Sequence, residues 1–181
     1  MTSDPTFDPF HNRLCRDIRN ALSVSFIKAI QQGNMNPVRD TAQALQGKAA
    51  KPFMQAYIKQ RLSRYQEVFD DRISGKPLAG ETYRIACSMW NRSLFFEFHE
   101  WLEHSWHQAA GREKQMLQAL IRSAGAYLLL EAGRMNGAQK LAAKAVAGLR
   151  QIRSLIPAEF DVDLLIRKLT ALDPPPPRFT C

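Results

Sequence analysis

Apolar residues recur along this chain every three or four positions, and no segment alternates apolar and polar residues as a strand does. Leu14, Ile18, Leu22, Phe26 and Ile30 make the first stripe, opened by Asp8-Pro9 and stopped by Gly33-Asn34. Asn36-Pro37 opens a short second helix that Gly47 closes. A third is predicted from about Lys51 to Ile73, with Phe53, Tyr57, Leu62, Tyr65 and Phe69 on its apolar side. Ser74 to Gly80, with Gly75, Pro77 and Gly80, is the expected internal boundary. Beyond it the pattern predicts helices over about 81–92, 93–108, 112–132 and 138–154. The turns between them lie at Ala109-Ala110-Gly111, at Gly133 and at Asn136-Gly137. Asp161 can cap a last short helix through Leu172, and Pro174 to Pro177 forces an extended tail.

The expectation is an all-α bundle of about six to eight helices, because short helix–helix connections favour antiparallel neighbours. Residues 1–80 form an N-terminal layer of about three helices, 81–173 a central antiparallel hairpin with C-terminal helices, and 174–181 a proline-rich tail, expected as one compact domain. With 45% hydrophobic and 23% charged residues the 181-residue chain is globular in composition. Its longest apolar stretch, Ala124 to Leu130, falls well short of the roughly 20 residues that span a bilayer. No secretory signal is written at the start, so a cytoplasmic protein without membrane contact is expected.

Cys15, Cys87 and Cys181 are isolated and odd in number, with no Cys-x-x-Cys pair. Reduced thiols are expected, and neither a zinc knuckle nor a dithiol redox centre. The net charge of +8 makes acidic partners worth considering. It is concentrated once, from Arg134 to Arg153, where Arg134, Lys140, Lys144 and Arg150 occur without an acid.

The densest chemistry lies between Phe95 and His107, FFEFHEWLEHSWH. At about 100° per residue, Leu94, Phe98, Trp101 and Leu102 define the core stripe, and His99, Glu103 and Trp106 stack along one flank. Glu97 falls on the other flank, and Glu100 points mostly outward. In the next helix Gln118, Arg122 and Gly125 run beside the apolar stripe. If the two helices are antiparallel, His99 and Glu103 come near Gln118 and Arg122, with Gly125 letting the helices approach. A polar seam of Glu97, His99, Glu103, Trp106, Gln118 and Arg122 follows.

The pattern Glu97-x-His99-Glu100-x-x-Glu103-x-x-Trp106, after Trp90-Asn91-Arg92 and before Leu117-Gln118-Ala119-Leu120-Ile121, resembles the family catalogued as domain of unknown function 309. Gly133-Arg134-Met135-Asn136-Gly137-Ala138 is similar to that family's third segment, so the resemblance covers about 85–153. It implies an all-helical fold, and some members carry the label of predicted metal-dependent hydrolase. Arg122 stands where many members have a glutamine, and a cation there favours an ion pair over a metal.

Three functions follow. The favoured one is a non-enzymatic binding or scaffold module, in which the seam satisfies itself because buried carboxylates and imidazoles need partners. The alternative is a metal-dependent hydrolase with His99 and Glu103 as ligands and Glu100 as base, the order of residues in His-Glu-x-x-His enzymes. A catalytic zinc keeps about three protein ligands plus water, and the facing helix offers only Gln118, so a divalent metal is not the favoured cofactor. The third is nucleic-acid or acidic-partner binding through Arg134, Lys140, Lys144 and Arg150. An exposed Trp or Phe face on the Tyr83 to Arg92 helix would point to a homodimer.

Overall fold

Asn12 opens the first helix by accepting a hydrogen bond from the backbone N–H of Cys15. The expected cap, Asp8, instead closes a turn before it, accepting from the N–H groups of Phe10 and His11. The computed structural model describes residues 6–73 and 81–181, and the predicted boundary from Ser74 to Gly80 lies outside the described residues. Among those described there are eight α-helices and no strand, an all-α bundle. The helices are α1 (Arg13–Gln32), α2 (Asn36–Gln46), α3 (Pro52–Ile73), α4 (Glu81–Asn91), α5 (Phe95–Gln108), α6 (Gly111–Glu131), α7 (Met135–Gln151) and α8 (Val162–Ala171). They fall into two compact units, Met1–Lys76 and Pro77–Cys181. No helix is long and apolar enough to cross a membrane.

In the first unit, Ile18, Leu22, Phe26 and Ile30 of α1 are buried as the spacing predicts, while Leu14 is exposed and Cys15 takes its place in the core. Gly33 ends α1 at φ 63°, a left-handed turn that costs glycine nothing. Phe26 stacks on Tyr65 of α3 with ring centroids 4.0 Å apart. The buried face of α3 is Met54, Ile58, Tyr65, Val68 and Phe69, so Phe53, Tyr57 and Leu62 sit at its edge rather than in the core.

In the second unit α6 packs against both α5 and α7, and residues Ile85 to Trp90 of α4 are all buried. Trp90 meets Phe95, Phe98 and Tyr127 edge-on at 5.1, 5.3 and 5.6 Å, placing α4, α5 and α6 around one aromatic cluster. Each such pair is worth about 0.5–1.5 kcal/mol beyond the area it buries.

α6 and α7 meet through small residues. A Cβ on Gly148 would lie 3.1 Å from that of Ala119, one on Gly125 2.7 Å from Leu141 Cδ2, and one on Gly137 3.2 Å from Leu129 Cδ1. The pairs 119/148, 125/141 and 129/137 advance along one helix as they retreat along the other, so α6 and α7 run antiparallel. Gly125 therefore admits α7, not α5 as the sequence suggested. The turn before α7 is made at Gly133 alone (φ 69°), and Asn136-Gly137, read as part of the break, lies inside the helix.

The cysteines require a correction. Cys87 of α4 and Cys181 form a disulfide with a Cα–Cα distance of 5.7 Å, and Cys15 is the free thiol, buried. Ninety-four residues separate the bonded pair, so spacing alone carried no sign of it. Burial pushes the Cys15 thiol above its ordinary value, as expected of an inert core cysteine.

Candidate functional site

α5 carries the polar residues the sequence singled out, and its core stripe fixes where they point. Leu94, Phe98 and Leu102 are fully buried, and Trp101 sits at the stripe's edge, its indole N–H donating to Thr82 O at 2.9 Å. This orientation leaves His99, Glu100 and Glu103 partly exposed on one turn of helix, their side chains 32%, 31% and 39% accessible.

Both ring nitrogens of His99 face carboxylates. Nδ1 lies 3.1 Å from Glu100 Oε1 and Nε2 lies 3.9 Å from Glu103 Oε2. One ligand atom from each of the three residues can be chosen so that all lie within 4.8 Å of one another. Among the described residues this is the one group of three side chains with that competence. Around a zinc at about 2.1 Å, tetrahedral donors stand about 3.4 Å apart, so the three side chains would have to draw together by up to about 1.4 Å to hold an ion. An ion would take one ring nitrogen, and the carboxylate at the other would fix the ring's orientation.

The remaining seam residues lie as follows. Glu97 is fully buried and about 200° around the helix from His99. Gln118 and Arg122 are half-buried on α6, and neither side chain makes a hydrogen bond or ion pair among the described residues. The Trp106 ring is capped by Lys114 of α6, with Nζ 4.3 Å from the ring centroid, a cation–π contact. His104 and His107 are exposed.

The basic helix is now resolved residue by residue. Lys140, Lys144 and Arg150 are exposed on α7 with no carboxylate partner among the described residues, whereas Arg153 is bonded to Asp163. Arg150 stands at the edge of an open groove of about 360 Å³ between α7 and α8, floored by Ala142, Val146, Leu169 and Leu172.

Trp90, a core or interface residue by its helical spacing, and Asn91 both hold the C-terminal segment. Trp90 donates its indole N–H to Pro177 O, and Asn91 pairs with the backbone of Phe179. The available signal was Phe179 itself, a lone aromatic in an otherwise proline-rich and polar tail.

Residues 83–141 match the family model described as Domain of unknown function (DUF309). The matched segment covers about a third of the chain: almost all of α4, all of α5 and α6, and the first turns of α7. It contains Trp90-Asn91-Arg92 and the whole His99/Glu100/Glu103 turn, and it ends before Lys144 and Arg150. No curated protein and no solved structure matches the chain.

Proposed function

We propose that this protein is a non-enzymatic binding or scaffold module built on the helices that match DUF309, with His99, Glu103, Trp106, Gln118 and Arg122 as half-buried polar positions of α5 and α6, and Glu97 buried on the other side of α5. The observation that supports it is that His99 finds its polar neighbours on its own helix. His99 is bracketed by Glu100 and Glu103 of its own helix, and neither Gln118 nor Arg122 reaches across to supply a further donor or a substrate contact. The hydrogen bond between His99 Nδ1 and Glu100 Oε1 at 3.1 Å gives the imidazole a partner on its own helix, so the turn asks for no bond-making partner.

A second reading, a metal-dependent hydrolase, is favoured by the convergence of the same three residues. In it His99 and Glu103 hold a divalent ion, whose chemistry would be to acidify a bound water. Glu100 would then be the base, and its carboxylate already stands beside the imidazole.

Elemental analysis of protein purified without a histidine tag or chelator, and after dialysis against zinc or manganese, separates the two. The module reading expects far less than one ion per chain, and the same helical content and melting temperature for His99→Ala within about 2 °C. About one ion per chain, lost in His99→Ala, would replace it with the hydrolase reading.

A further inference from the structure

The segment from Pro177 to Cys181 lies across α4 as a bound peptide would. Its burial alternates: Pro177 and Phe179 are buried, Arg178 and Thr180 exposed, as in an extended strand with one face down. Asn91 reads the backbone at one residue in both directions. Its Oδ1 accepts from Phe179 N at 2.9 Å and its Nδ2 donates to Phe179 O at 2.8 Å, as a neighbouring strand would. The indole N–H of Trp90 donates to Pro177 O at 2.8 Å, a contact that uses the one backbone group proline retains. The Phe179 ring, 8% exposed, lies 5.5 Å from the Trp90 ring and 5.3 Å from that of Phe160. At the end of this run the Cys87–Cys181 disulfide ties the segment to the helix it rests on.

From this geometry we infer that Trp90 and Asn91, with Phe160, form a docking site for an extended Pro-x-Phe segment, filled in the oxidised chain by its own residues 177–179 and held shut by the disulfide. The recognition elements are general: two backbone hydrogen bonds at the aromatic position, one carbonyl acceptor two residues earlier, and an aromatic pocket. A proline-rich segment arrives nearly extended and loses little entropy on docking. The occupant that replaces the tail is therefore a Pro-x-Phe segment of another polypeptide.

The two sulfurs differ in access, and this sets how the site opens. Cys87 is fully buried and Cys181 exposed. A thiolate of a dithiol reductant attacks Cys181 Sγ, the S–S bond breaks, and the Cys87 sulfur leaves and takes up a proton. The reductant's second thiol then attacks the mixed disulfide, forming its own disulfide and releasing Cys181 as a thiol. The chain gains two electrons and two protons, and the dithiol is oxidised. The released tail remains tethered at an effective concentration that can reach millimolar, so an incoming segment competes with it rather than entering an empty groove. The inference stands apart from the α5 cluster, since His99, Glu100 and Glu103 take no part in it.

The test uses the full chain in three forms: oxidised, reduced with dithiothreitol, and Cys181→Ser. Amide exchange across residues 176–181 reports the tail. Polarisation of a fluorescent peptide with the sequence of residues 174–180 reports the site. In the oxidised chain the tail is expected to be protected and the peptide not to bind. In the reduced and Cys181→Ser chains exchange at Phe179 rises, the peptide binds saturably, and a Phe179→Ala version of the peptide binds at least about tenfold more weakly, having lost the ring contacts to Trp90 and Phe160. Asn91→Ala placed in the Cys181→Ser chain should lower peptide affinity in the same way. Tail protection that survives reduction would overturn the gate. A freed tail without peptide binding, or equal binding of the Phe179→Ala peptide, would overturn the docking site.

Discussion

Tyr127 sits inside the aromatic cluster, 1% exposed, with its ring 5.6 Å from those of Trp90 and Phe95. Its hydroxyl is buried without a hydrogen-bond partner among the described residues. An unpaired buried hydroxyl costs about 1–3 kcal/mol, so Tyr127→Phe, which keeps the ring, is expected to raise stability by about 1 kcal/mol in urea denaturation. The same burial, and then the charge of Asp173, push the phenol well above its ordinary value of 10.0. Because the folded value is raised, stability is unaffected by the phenol below pH 10 and falls as pH climbs from there toward the folded value, where the unfolded chain gives up a proton that the folded one keeps. The wild type should therefore lose stability along the alkaline limb faster than Tyr127→Phe, and parallel curves would show that the phenol titrates freely. This orphan was not legible in the sequence, because periodicity places a tyrosine on a face but says nothing of what its hydroxyl finds there. His99 with Glu103 was legible, since an i, i+4 pair on one helix needs only the helix.

At the scale of elements, the helices themselves were written in the apolar spacing, and the errors fall where side-chain identity competes with tertiary packing. Asn136-Gly137 has the composition of a turn, yet Gly137 lies within α7 because its missing Cβ lets Leu129 of α6 come close. Gly125 and Gly148 serve the same contact, and their neighbours differ in what they can yield. Gly148 faces the Cβ of Ala119, which moves only if the α6 backbone moves, whereas Gly125 faces the end of the Leu141 side chain, which can swing aside. Overpacking costs about 1–3 kcal/mol, while replacing a mid-helix glycine by alanine returns roughly 1 kcal/mol of helix propensity. Gly148→Val is thus expected to lower stability by about 2 kcal/mol and Gly125→Ala by less than about 1 kcal/mol, as read from denaturant midpoints at constant slope. The reverse order would mean that α6 yields more readily than the Leu141 side chain.

For the molecule as a whole, the net charge of +8 was legible at once, but which cations are available for a partner depends on tertiary pairing. Arg153 is neutralised by Asp163 across the turn between α7 and α8, and Lys168 by Asp173 just past the end of α8. The path of the tail back to Cys87 was hidden, because ninety-four residues separate the bonded pair. What remains on α7 is Lys140, Lys144 and Arg150, three cations on one exposed helix side with no aromatic residue between them. Such a face attracts phosphates without reading bases. If it grips duplex DNA, each phosphate neutralised contributes about 0.9 to the slope of log affinity against log salt. Lys140→Ala with Lys144→Ala should then flatten that slope by about 1.8, equally for any duplex sequence, in anisotropy titrations between 50 and 200 mM salt. Arg150, at the mouth of the α7–α8 groove, would account for about one further unit. A slope unmoved by the double substitution would assign α7 to solvent and leave acidic proteins as the partners its charge could serve. A change confined to one sequence would require contacts to base edges, which two lysine ammonium groups on a helix side are too mobile to specify.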